Sequence, residues 1–190
     1  MVTVSFEEAA RRIRTGEIGV VPTDTLYGLV ASVLDPAAVE RVYRVRGRET
    51  RKPCIVLLGD MSDIGRFGID PGDTERAMLA QVWPGEVSVV LPCRDKRWDY
   101  IHRGTGSIAF RVPSNPELHG FLVAAGPVVA PSANPEGERP AETVEEARAY
   151  FGTLVDFFVD GERLSGAPST VARIVNGKWE VLREGAVALS

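Results

Sequence analysis

Short runs of β-branched and other apolar residues alternate along this chain with segments of helical spacing. A cap, a proline or a glycine marks nearly every change of period. Antiparallel strands can be joined by a tight turn, whereas parallel strands need a crossover long enough to hold a helix. The alternation therefore predicts an α/β fold, a twisted mixed β-sheet flanked by helices. Ser5 with Glu8 forms a capping-box pattern, and Phe6, Ala9, Ala10 and Ile13 follow on one face. Ile18 to Val21 reads as a strand closed by Pro22. Asp35-Pro36 is a cap followed by proline at the first helical position, opening a helix that ends near Gly47. Strands are predicted at Ile55 to Leu58, Val87 to Leu91, Ile108 to Val112, Val128 to Ala130 and Leu154 to Val159. Helices are predicted over Thr74 to Val82, Glu117 to Ala125 and Thr143 to about Phe151. Asn176-Gly177, between Thr170 to Val175 and Lys178 to Leu182, is a hairpin turn signal.

The 190 residues suit one domain, read as spanning 1–190, and 44% of them are hydrophobic, enough to build a core rather than remain disordered. A net charge of −4 argues against a surface that coats nucleic acid but leaves a local basic groove open. Cys54 and Cys93 lie far apart in apolar runs and form neither a disulfide framework nor a zinc spacing. With only His102 and His119, a histidine-rich metal site is excluded. The longest apolar stretches fall far short of a membrane span, and the N-terminus lacks the pattern of a secretory signal, so a cytoplasmic location is expected, away from membranes.

Polar residues interrupt the pattern where strands end. Pro22-Thr23-Asp24-Thr25-Leu26-Tyr27-Gly28 places hydroxyls and a phenol at a strand's carboxyl end, suited to a small polar ligand. The alternative is that Thr23 or Asp24 caps a short helix. Between Arg44 and Lys52 there are five cations in nine residues, opposed only by Glu49. That density suits a polyphosphate or, alternatively, a solvated helix end. Arg111 falls on the strand face opposite Ile108, Phe110 and Val112, and needs a partner, either a carboxylate of the protein or one on a ligand. Ser132 and Asn134 can donate to phosphate oxygens or close a turn. Ser169-Thr170 opens the hairpin and Arg183 ends it. No nucleophile elbow accompanies either histidine. Cations, hydroxyls and amides without an evident nucleophile suit a site that positions and electrostatically stabilises phosphoryl or nucleotidyl transfer.

Taken together, these groups resemble the YrdC-type threonylcarbamoyl-AMP synthase family. The motifs occur in the family's order: Pro22 to Leu29, Arg46-Gly47-Arg48 with Pro53, Trp83-Pro84-Gly85, and Phe110-Arg111-Val112-Pro113. Pro131-Ser132-Ala133-Asn134, Ser169-Thr170-Val171 and Arg183-Glu184-Gly185-Ala186 complete the series. The resemblance implies a twisted α/β sheet around a basic cavity and the conversion of L-threonine, bicarbonate and ATP to threonylcarbamoyl-AMP, pyrophosphate and water. It implies Thr25, Arg111 and Ser169 on the threonine side. On the ATP side it implies Arg46, Arg48, Lys52, Ser107, Ser132, Asn134 and Arg183. Arg46 stands where the family has lysine, and a lysine there is expected to serve as well. Leu57 stands where the family often has histidine. No residue is expected to be covalently modified. Magnesium is expected to arrive with ATP rather than in a protein cage. The threonylcarbamoyl group would pass to downstream machinery that modifies transfer RNA, and the resemblance leaves room for weak RNA binding. Rival readings are a double-stranded RNA or tRNA-binding module, a non-catalytic paralogue using the same cavity, and the related domain of hydrogenase-maturation proteins, whose chains are longer.

Overall fold

Local signals and tertiary packing agree on most elements of the computed structural model, which describes residues 2–47 and 52–189. The chain opens with β1 (Val2–Val4) and α1 (Phe6–Arg14), where the Ser5 side chain accepts from the Glu8 N–H. β2 (Gly19–Pro22) and β3 (Tyr27–Ser32) then form an antiparallel hairpin. Asp35 caps α2 (Pro36–Arg46) by accepting from the Ala37 and Ala38 N–H groups, and Gly47 ends it at φ 62°. β4 (Val56–Leu57), α3 (Asp73–Val82), β5 (Val87–Pro92), α4 (Asp99–His102) and β6 (Ser107–Arg111) follow. α5 (Pro116–Ala125), β7 (Val128–Val129), α6 (Val144–Phe151), β8 (Phe157–Val159), β9 (Thr170–Val175) and β10 (Lys178–Arg183) complete the series. Asn176 and Gly177, at φ 52° and 69°, give the two left-handed residues that a type I′ hairpin turn requires.

The strands form one sheet in the order β1-β8-β2-β3-β7-β4-β6-β5-β9-β10. It is mixed: β1 and β2 pair parallel to β8, β4 to β6, and β5 to β9, while the β2–β3, β5–β6 and β9–β10 pairs are antiparallel. One core cluster gathers Val39 and Val42 of α2, Leu79 of α3 and Ala147 of α6 with strand residues such as Val56, Val89, Ile108 and Phe110. A second joins Ala9, Ala10 and Ile13 of α1 and Leu118, Phe121 and Leu122 of α5 to Val21, Val30, Leu57 and Val128. Helices thus cover parts of both faces, and burying this apolar surface stabilises the fold at ~25 cal/mol per Å².

Residues 23–26 do not cap a helix. They form the β2–β3 turn, in which the Thr23 N–H donates to the Leu26 carbonyl at 3.1 Å and its hydroxyl donates to the same oxygen at 2.6 Å. β3 itself has no alternation of polar and apolar residues to betray it, because all six of its residues are buried.

Candidate active site

Strand alternation builds the site. In β6, Ile108 and Phe110 enter the larger core, so Ala109 and Arg111 fall on the opposite face, where both line a cavity of about 330 Å³. The cavity is bounded by the β2–β3 turn, the segment around Ser132, and the start and end of the β9–β10 hairpin. Of the residues predicted from sequence, Thr25, Arg46, Arg111, Ser132, Ser169 and Arg183 line it.

Arg111 is almost fully buried and has its partner within the protein. Its Nη2 lies 2.9 Å from Asp24 Oδ1, with both side chains about 5% exposed, and its Nη1 donates to Thr25 Oγ1 at 3.1 Å. Of the two partners the sequence allows, a carboxylate of the protein or one on a ligand, the fold supplies the first: Asp24 is a counter-charge within the protein. The pair is close but poorly aligned. Asp24 Oδ1 and Arg111 Nε are buried without a hydrogen-bond partner among the described residues. Burial pushes the Arg111 guanidinium below the ordinary arginine range, against the opposing pull of Asp24.

Across the cavity, a shift of register between Val181 and Arg183 interrupts the β9–β10 ladder, a bulge-like device that re-aims a side chain. Arg183 Nη2 donates to the Ser169 carbonyl at 2.6 Å and approaches Ser169 Oγ at 3.4 Å. Burial lowers the Arg183 pKa as well. Behind Ser169, the hydroxyl of fully buried Ser88 lies 3.0 Å from Ser169 Oγ. The segment after β10 closes over this corner: Ala186 N–H donates to the Pro168 carbonyl, and a Cβ on Gly185 would meet Ser169 and Thr170 backbone at 2.5 Å.

Arg46 ties the third wall together. Its Nε donates to the carbonyls of Ser132 and Asn134 at 3.0 and 2.9 Å, and its Nη2 to Ser132 Oγ and Asn134 Oδ1 at 3.0 and 3.2 Å. A single lysine ammonium cannot reproduce the two-nitrogen geometry of these bonds, so the guanidinium bears on the structure of this wall as well as on its charge. Asn134 is buried beside the cavity rather than lining it. Its amide donates to the Pro135 and Glu138 carbonyls, both at 2.8 Å, so it shapes the loop that presents Ser132. Lys52 pairs with Glu136 at 3.0 Å on the exposed side. Ser107 begins β6 outside the cavity lining, and Arg48 lies outside the described residues. Among the described residues no three His, Cys, Asp or Glu side chains gather to hold a metal, and no helix is long and apolar enough to cross a membrane.

Two residues of this network escaped the sequence reading. Asp24 belongs to a quoted motif, but nothing local aims it at Arg111. Ser88 is one hydroxyl in the apolar run Val87 to Leu91, a signal that was available.

The Sua5/yciO/yrdC family model, described as telomere recombination, matches residues 11–185. The chain belongs to this family. Among curated members, it is 32% identical over 182 residues to a putative threonylcarbamoyl-AMP synthase of Mycobacterium tuberculosis, covering 95% of this chain and 83% of that one. Among solved structures, it resembles Pyrococcus abyssi Sua5 complexed with L-threonine, with a TM-score of 0.87 and 27% identity. That match covers 95% of this chain and 54% of the other, so the chain spans about half of that relative. Escherichia coli YciO matches with a TM-score of 0.83 and 26% identity, over 95% of this chain and 88% of that one. The mixed α/β sheet is thus the fold of this family.

Proposed function

We propose that this protein makes threonylcarbamoyl-AMP from L-threonine, bicarbonate and ATP, releasing pyrophosphate and water. The observation that carries the reading is the convergence of Thr25, Arg111 and Ser169 with Arg46, Ser132 and Arg183 on one cavity. Relatives named for this activity and a relative solved with L-threonine support it. Threonine occupies the Thr25–Arg111–Ser169 side, its carboxylate beside the incompletely bonded Arg111 guanidinium. The neutral amine attacks the bicarbonate carbon, a C–N bond forms, and water departs to leave the carbamate. A carbamate oxygen then attacks the α-phosphorus in line, and the bond to pyrophosphate breaks. Arg183 and Ser132 flank the triphosphate in this reading, with Lys52, paired to Glu136 on the exposed side, contributing charge and the cavity basic on that side. Arg48 is assigned to the ATP side by the family resemblance alone. Arg46 and Asn134 act chiefly by holding the Ser132 loop in place. Magnesium enters as part of the ATP substrate. The adenylate then passes to transfer-RNA-modifying machinery.

Incubation with magnesium, ATP, bicarbonate and labelled threonine tests the reading. The expected outcome is threonylcarbamoyl-AMP with stoichiometric pyrophosphate, dependent on all three substrates. Saturable threonine and ATP binding without product would instead mark a non-catalytic paralogue. Tight, steeply salt-dependent RNA binding without either would favour the nucleic-acid module.

A further inference from the structure

β5 sends Val87, Val89 and Leu91 into the larger core and leaves Ser88 on the other face, fully buried behind the cavity wall. A hydroxyl carries one hydrogen to donate and two lone pairs to accept. Among the described residues, the partner of the Ser88 hydroxyl is Ser169 Oγ, at 3.0 Å. The distance alone permits either oxygen to be the donor. The surroundings do not. If Ser169 donated to Ser88, the Ser88 hydrogen would be left buried without an acceptor, a costly arrangement. If Ser88 donates, its hydrogen is satisfied, and Ser169 remains free to direct its own hydrogen elsewhere. Arg183 narrows the choice further. A guanidinium only donates, and its Nη2 approaches the same Ser169 oxygen at 3.4 Å.

We infer that Ser88 is a positioning residue that, together with Arg183, engages the acceptor lone pairs of Ser169 and so fixes its hydroxyl as a donor into the cavity. A hydroxyl set this way recognises an oxyanion and not an ammonium. The inference rests on the threonine reading of the cavity and sharpens it: Ser169 meets a carboxylate or carbamate oxygen of the substrate, while the amine faces elsewhere. Ser88 touches no substrate and acts only through Ser169.

Calorimetric titration of L-threonine into the wild type, Ser88→Ala, Ser88→Thr, Ser169→Ala and the double alanine variant tests this. Ser88→Ala is expected to weaken threonine about five- to tenfold with ATP affinity unchanged, and Ser88→Thr to restore it, since one hydrogen bond is worth roughly that factor. In the Ser169→Ala background, removing Ser88 is expected to weaken threonine no further. Equal losses in both backgrounds, or unchanged threonine affinity in Ser88→Ala, overturn the inference. Neutron diffraction from the deuterated protein reads the hydroxyl order without any ligand. The deuteron on Ser88 is expected to point at Ser169 Oγ, and the reverse order overturns the assignment. A wild type that binds no threonine overturns the substrate reading and the oxyanion assignment together, and leaves the deuteron map to decide the hydroxyl order.

Discussion

Two of the protein's arginine–aspartate pairs invert the usual relation between burial and bonding. Arg41 and Asp156, each about a third or a quarter exposed, are joined by two bonds of 2.6 and 2.9 Å. Arg41 also donates to the Leu154 carbonyl, and Asp156 accepts from the Ile18 N–H at 2.9 Å. Arg111 and Asp24 are far more deeply buried, yet one nitrogen and one oxygen of that pair lack hydrogen-bond partners among the described residues. Burial raises the cost of every unmade bond, so the deeper pair is the one where full bonding would be expected if stability were its only purpose. The difference separates a polar centre that holds elements together from one that faces a cavity with bonding capacity in reserve.

The largest effect should come from breaking the deeper pair. Arg111→Gln leaves Asp24 buried without a counter-charge and is expected to cost about 3–5 kcal/mol in denaturant unfolding. Threonine affinity of the folded fraction should fall at least about tenfold. A stability loss with normal threonine affinity would reduce Arg111 to a structural role. Next, Arg46→Lys should cost about 1.5–3 kcal/mol, because a single ammonium cannot hold both loop carbonyls and both loop side chains. An unchanged unfolding midpoint would show that the Ser132 loop stands without the fork.

Arg41→Ala sharpens the contrast from the other side. Partial exposure discounts it to about 1–2 kcal/mol, with threonine and ATP binding intact. Burial pushes the Asp156 carboxyl up, but the Arg41 bond, the Ile18 N–H and nearby arginine charge outweigh that and hold it below its ordinary value of 3.8. A carboxyl depressed in the folded state contributes stability above its unfolded pKa, and that stability is lost as pH falls through the folded one. Asp156→Asn should therefore remove part of the acid sensitivity of unfolding below about pH 4 and leave the rest of the profile in place. The smallest effect belongs to Lys52→Ala. Its pair with Glu136 is exposed, so stability should change by less than about 0.5 kcal/mol, and an altered ATP Michaelis constant would reveal a role on the ATP side.

Most elements were legible in the sequence because cap, period and terminator agreed locally, as at Ser5, Asp35 and the Asn176-Gly177 turn. β3 was hidden by being buried on both faces, and β1 by its length of three residues. The strand face of Arg111 could be read from alternation alone. Its partnership could not, since 86 residues separate it from Thr25 and the β2–β3 turn. Arg46 illustrates the converse limit: a cation in a basic run reads as a phosphate ligand, and only the fold reveals that its bonds go to the Ser132 loop.

The strap formed by residues 184–187 has a consequence for how the molecule comes into being. Gly185 lies directly against the backbone of Ser169 and Thr170, and the Thr170 hydroxyl and Val187 backbone are bonded to one another. During ribosomal synthesis the helices and the first strands can dock while this stretch is still inside the exit tunnel, yet the wall bearing Ser169 lacks its outer support until residue 187 has emerged. Ligand capture should therefore follow the docking of the helices and first strands, and begin only once residue 187 is clear of the tunnel.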